Sequence, residues 1–364
     1  MADELLNTTL GTTNTSALDD DKPFDISKLS YVTVPLFTLI GLIGNGITVC
    51  VMFGKLFRQK SIGVYLAALA FSDTAFIIVS PFTKSFIKDM FTYDPTALSE
   101  TGCKLFFFVF RSAKICSSWF VVGICIERFI VIWFPFKAKL LTNKRVSITY
   151  VTTVAVCVFI FDGVWTITGG IVKGVCFPSL VTESTKDLSA GFVVAGTLIF
   201  SIIPTCVLVL FTPLTVFRLC RQVHARRQMT SVATGDGYSD AMKITRMLIA
   251  VVMAYIILVA PISVAHSVAF FRGQNIFTSK DPEFIIFREI ASILEQLNYS
   301  INFFLYFFCN ATFRRSVYVL CGCRKMRVDM RGQRSGGQVP AHVHVSCSPS
   351  SSEDTVSSRL PYIS

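Results

Sequence analysis

The side chains of this chain best suited to chemistry are charges set in or at the ends of long apolar runs, among them Asp73, Arg111, Lys114, Glu127, Arg128, Arg288, Glu289 and Glu295. A charge at membrane depth is costly, so each is a candidate functional residue that needs a partner. Lys114 and Glu295 fall at similar depth in their runs, which predicts an ion pair between them. Arg128 can pair with its neighbour Glu127. Catalysis has no comparable footing. No nucleophile–base constellation stands out, no CxxC or His-rich spacing suggests a metal, and Cys321-Gly-Cys323 is too short and lacks partner ligands. An enzyme is therefore set aside.

The elements that must position these charges are membrane helices. Of the 364 residues, 52% are hydrophobic and 16% charged, where a soluble domain carries about 25% charged residues. A spanning helix needs about 20 mostly apolar residues. Seven stretches qualify: Tyr31–Phe53, Gly63–Phe86, Thr101–Trp133, Val146–Gly169, Ala190–Leu219, Ala241–Phe270 and Phe284–Phe308. Arg111 and Lys114 make the third the least hydrophobic. Unpaired backbone groups in lipid force the helical reading, so Pro35, Pro81, Pro204 and Pro261 read as kinks. The expected fold is an all-α membrane protein, a seven-transmembrane helix bundle. Residues 1–30 form an N-terminal tail and 31–309 the bundle. Ala311–Leu320 places Phe313, Val317 and Leu320 on one face beside Arg314 and Arg315, a short amphipathic eighth helix on the membrane surface. Residues 321–364 are a Ser/Gly/Arg-rich disordered tail.

The net charge of +11 sits in short segments between apolar runs, the pattern of a membrane protein's cytoplasmic side rather than of nucleic-acid binding. Lys55, Arg58 and Lys60, then Lys137, Lys139, Lys144 and Arg145, then Arg218, Arg221, Arg226 and Arg227 fall inside if the N-terminus is outside. The N-terminus is thus expected outside and the C-terminus in the cytoplasm. Asn7-Thr-Thr9 and Asn14-Thr-Ser16 are glycan acceptor sequons in the outer tail. Cys50, Cys116, Cys125, Cys157, Cys206 and Cys309 read as small buried residues. Cys321 and Cys323 follow the amphipathic helix, where juxtamembrane cysteines are either palmitoylated or free.

Across almost its whole length the chain resembles the rhodopsin-like G-protein-coupled receptors. Gly44-Asn45, Leu69-Ala-Phe-Ser-Asp73, Cys103, Glu127-Arg128-Phe129 twenty-five residues later, Pro204, Pro261 and Asn302-Phe-Phe-Leu-Tyr306 fall in the family's order on the corresponding helices. Phe303 stands where the family has proline, Phe129 and Thr212 where it has tyrosines, and Val259 where the sixth helix carries a tryptophan. The Asn-Phe-Phe-Leu-Tyr run and Pro81 look most like invertebrate neuropeptide receptors.

The resemblance implies a Cys103–Cys176 disulfide on the outer side and a G-protein switch built from Glu127, Arg128, Phe129, Asn302 and Tyr306. It also implies a polar cluster of Asp73, Ser117, Asn298 and Asn302 holding an allosteric sodium ion, the alternative being a hydrogen-bonded structural carboxylate with water. No other cofactor is expected. Phe110 occupies the place of the aspartate of amine receptors, and Gln296 that of the visual pigments' lysine, which argues against both classes. The expected ligand site comprises Lys84, Lys88, Phe110, Arg111, Lys114, His266, Glu289 and Glu295. Its excess of bases favours a ligand with an anionic group, or a peptide offering carboxylate and amide contacts; a neuropeptide is the leading class and a small carboxylate or lipid acid the alternative. The implied partners are an extracellular ligand, a heterotrimeric G protein, membrane lipids, and an arrestin and receptor kinase acting on the tail's serines, in the plasma membrane. A transporter is the rival class, but the internal symmetry of one is not seen.

Overall fold

The computed structural model describes residues 29–82, 95–172, 174–177, 186–228, 236–272 and 281–322. Its long helices are α1 (Ser30–Phe53), α2 (Ser61–Val79, continued by a 3-10 turn Ser80–Phe82), α3 (Glu100–Trp133) and α5 (Lys144–Thr166). They continue with α6 (Lys186–Thr197), joined by a π turn (Leu198–Ile202) to α7 (Ile203–Gln228), then α8 (Asp236–Phe271) and α9 (Pro282–Cys309). With α6 and α7 counted as one, these are seven spans. Short α4 (Pro135–Leu141) follows the third span, and α10 (Ala311–Leu320) follows the seventh.

Six spans are long and apolar enough to cross a membrane by length and composition; α9 is not among them. The third span, expected to be the least hydrophobic, passes with a mean hydropathy of 1.9 over its best window. It is the seventh that falls short, because Arg288, Glu289, Glu295, Gln296, Asn298 and Asn302 lie along it. Burial explains how both are tolerated. In the third span 72% of the apolar window is buried inside the protein, against 17% in the fourth and 18% in the fifth. The third is the central post of the bundle, and its inner charges, Arg111, Lys114, Glu127 and Arg128, are enclosed by the protein.

Local chemistry sets the helix ends. Ser99 accepts a hydrogen bond from Gly102 N at the start of α3, and Asn143 from Val146 N at the start of α5. Asn310 caps α10 through Thr312 and Phe313 N–H, and this seats Phe313, fully buried, against Phe57 and Tyr306. Small residues allow close approach: a Cβ on Gly44 would lie 2.8 Å from Phe303 Cβ.

The prolines act differently from one another. Pro35 and Pro261 lie within helices, as does Pro213, which the sequence reading passed over. Pro81 sits in the 3-10 turn, and Pro204 follows the π turn. A proline ring clashes with the carbonyl four residues back, and widening that turn to π geometry relieves the clash. Two short strands depart from an all-helical reading. β1 (Gly170–Val172) pairs antiparallel with β2 (Val175–Phe177), with Ile171 opposite Cys176. Gly174, at φ 73°, turns the hairpin. The hairpin carries Cys176 to its disulfide with Cys103, Cα–Cα 5.6 Å. Of the cysteines read as buried, Cys116 and Cys125 are, whereas Cys50, Cys157, Cys206 and Cys309 face outward.

Candidate functional site

Three turns along α3 from the disulfide, Lys114 meets Glu295 of the seventh span. Lys114 Nζ lies 2.7 Å from Oε1 and donates to Oε2 at 2.9 Å. The two side chains are only 11% and 6% exposed. Three phenylalanine rings surround the ammonium, with centroids 4.8 Å (Phe200), 5.3 Å (Phe110) and 5.8 Å (Phe76) from Nζ. Each arrives for a local reason. Phe200 is presented by the π turn, which Trp119 of α3 stabilises by donating its indole N–H to Ile199 O at 3.1 Å. Phe76 is held between Tyr299 (4.0 Å) and Phe110 (5.2 Å). His266 packs edge-on against Phe200 at 6.2 Å.

Arg111, expected in the ligand site, has a partner that was not foreseen. It does not offer a free guanidinium to a ligand but turns to the fourth span, where its Nε donates to Asp162 at 2.6 Å and an Nη to Thr166 at 2.7 Å. Asp162 is fully buried, and its other oxygen accepts from Ser112 at 2.7 Å. Trp165 covers the guanidinium at 4.4 Å. Asp162 had not been singled out, though a lone carboxylate in the run Val158–Trp165 is itself the signal. Arg288 pairs with Glu289 at 2.5 Å. Among the described residues at this end, Arg111, Lys114 and Arg288 therefore each have a carboxylate partner, and the expected excess of bases is not found there. Lys84 and Lys88 lie outside the described residues.

Below the ion pair, a relay ties α3 to the sixth span. Tyr255 O–H donates to Ser118 Oγ at 2.6 Å, and Ser118 donates to the backbone carbonyl of Lys114 at 3.0 Å. One residue back, Ser117 donates to Asp73 Oδ1 and Asn302 Nδ2 donates to Oδ2, both at 2.7 Å. Asp73 is fully buried. Two lone-pair sites remain on its oxygens beyond these neutral donors, and carboxylate, hydroxyl and amide oxygens are the hard donors that suit a sodium ion. Asn298, one turn before Asn302, is buried as well.

At the far end of α3, Arg128 lies 3.1 Å from Glu127, and Ser61 of α2 donates to the same carboxylate. Arg128 also borders a cleft of about 410 Å³ with Lys60, Ser61, Asn143 and Lys144. Phe129 packs edge-on against Phe211 of the fifth span at 4.9 Å, and Tyr306 is 1% exposed. On α4, Phe136 is 98% exposed. Cys321 is exposed just past α10, while Cys323, Asn7 and Asn14 lie outside the described residues.

This arrangement has known counterparts. The seven-transmembrane receptor (rhodopsin family) model matches residues 44–306. The growth hormone secretagogue receptor type 1 of Sus scrofa is 25% identical over 318 residues, covering 82% of this chain and 81% of that protein. The lysophosphatidic acid receptor 4 of Homo sapiens is 24% identical over 314 residues, covering 84% and 80%. A family model that spans most of the chain, from the first helix to the seventh, settles the class: this protein belongs to the rhodopsin family of seven-transmembrane receptors.

Proposed function

We propose that the protein is a receptor for an extracellular neuropeptide, with the Lys114–Glu295 pair at the floor of the ligand site and the N-terminus outside. Membership of the family makes it a multi-pass plasma-membrane receptor, not an enzyme, that responds to an extracellular ligand and couples to G proteins. The finer choice rests on the pairing of charges. The relatives' names point to two different ligands, a growth hormone secretagogue and lysophosphatidic acid. A phosphate or carboxylate ligand needs an uncompensated cation, and Arg111, Lys114 and Arg288 each carry a carboxylate. A peptide, bearing both charges and amides, fits such a site better than a lipid acid.

Coupling runs through the opposite end. Arg128 leaves Glu127 as the sixth span moves, with Phe129, Asn302 and Tyr306 repacking around it. Exposed Phe136, next to basic Lys137, offers the G protein an apolar contact. The Asp73 cluster holds sodium in the resting state. Cys321 and Cys323 take the acyl chains that anchor α10, glycans occupy Asn7 and Asn14, and a receptor kinase and arrestin act on the tail. Calcium and cyclic-AMP signalling in cells expressing the chain, screened against a neuropeptide library, tests the ligand class. A saturable response whose potency is changed by Lys114→Ala supports it. Silence towards peptides with a response to lipid or small acids overturns it.

A further inference from the structure

Three ring faces and one carboxylate around an ammonium are a recognition site for a cation, and here the chain fills that site itself. The face of each ring carries the negative end of its quadrupole, and Phe76, Phe110 and Phe200 all lie within 6 Å of Lys114 Nζ. Glu295 closes the remaining side. We infer that this cage is the deep subsite for a cationic group of the ligand, a primary ammonium or a guanidinium, and that Lys114 is a tethered stand-in which the ligand displaces.

The geometry decides which partner exchanges. An incoming anion would have to replace Glu295 while lying against three electron-rich faces, which repel it. An incoming cation inherits the rings and the carboxylate together. The lysine has somewhere to go, since a four-carbon stem can swing its ammonium towards water at the disulfide end. Glu295 has a shorter reach and sits at 5% exposure. Arg111 cannot take its place, because Asp162, Thr166 and Trp165 hold that guanidinium on the other flank of α3.

Displacement also has a route outwards. Ser118 bonds the backbone carbonyl of Lys114, and Tyr255 of the sixth span bonds Ser118. A change at Lys114 is therefore felt by the helix whose movement admits the G protein. The absence of an aspartate at Phe110 does not exclude cationic ligands, since the seventh span supplies the counter-ion instead.

This inference rests on the proposed ligand site at the disulfide end, and its test is chosen to read binding without signalling. The full-length receptor carrying Lys114→Ala is purified in detergent, and its melting temperature is followed against n-propylammonium chloride, the group that the substitution removes. A ligand that binds only the folded state raises that temperature saturably. The expected result is a saturable rise with n-propylammonium, none with sodium butyrate, none in the unsubstituted receptor, and none in Lys114→Ala/Glu295→Gln. If Lys114→Ala is not recovered, its cell-surface yield with and without n-propylammonium in the medium is read in the same way. No rise with the ammonium, or an equal rise with butyrate, overturns the cage. A receptor that signals but shows no ammonium-dependent shift loses the cage alone. A silent receptor that shows the shift keeps the cage and loses the peptide reading.

Discussion

Arg111 and Lys114 are three residues apart on one helix, both buried and both paired with a carboxylate, yet their surroundings give them different work. They point roughly 60° apart around the helix axis, one towards the fourth span and one towards the seventh. Around Arg111 directed hydrogen bonds dominate: Asp162 takes two donors and Thr166 a third, while the Trp165 and Phe107 rings lie 4.4 and 5.9 Å from the guanidinium carbon. Around Lys114 the neighbours are aromatic faces, which attract any cation of similar size. A forked, geometry-specific network is hard to exchange, whereas a charge in an aromatic cage is held without a fixed direction. The first pair is a structural lock between two spans, and the second is a socket.

That contrast breaks if the two pairs respond alike to substitution. The largest effect is expected from Asp162→Ala, which leaves the Arg111 charge buried and orphans Ser112. Removing one partner of a buried pair costs about 3–5 kcal/mol, so surface expression measured by antibody binding to intact cells should be lost. Lys114→Ala should cost a comparable amount through the stranded Glu295, but Lys114→Ala/Glu295→Gln should recover most of the thermal stability. Arg111→Leu/Asp162→Leu should not recover, because Ser112 and Thr166 lose their partners too. Equal recovery of both double variants would erase the distinction.

A smaller effect is expected at the relay. Tyr255→Phe removes one buried hydrogen bond, worth about 1 kcal/mol, and should raise ligand-independent signalling by freeing the sixth span from Ser118. Unchanged basal cyclic-AMP and calcium levels in that variant would confine the relay to packing. The smallest is Trp165→Leu. Loss of the ring over Arg111 should cost about 0.5–2 kcal/mol in thermal stability and leave the potency of any agonist unchanged.

Much of this was legible in the sequence, and the limits of that legibility are physical. Hydropathy located all seven spans, although the fifth runs on nine residues past the expected Leu219 to Gln228 and the sixth begins five before Ala241 at Asp236, and the spacing of Phe313 and Val317 located α10. The depth of a residue along a span follows from counting, which is why Lys114 and Glu295 could be matched. The direction a residue faces does not, because it depends on how each helix is turned against its neighbours. The partner of Arg111 on the fourth span, Asp162, was therefore not foreseen. Phe76 and Phe200 were not read as a cage for the same reason, and Phe200 depends further on a π turn that no periodicity reveals. The seventh span illustrates the converse. Its polar residues lower its hydropathy because they build the site.

The central claim is that the Lys114–Glu295 socket, and not the Arg111–Asp162 lock, governs receptor state. The most direct measurement is nucleotide exchange on a purified heterotrimeric G protein driven by purified receptor without ligand, compared between Lys114→Ala and Asp162→Asn at equal amounts of folded protein. The account predicts that Lys114→Ala changes the exchange rate several-fold while Asp162→Asn lowers only the yield of folded receptor. An exchange rate unchanged by Lys114→Ala, or changed equally by both, would contradict it.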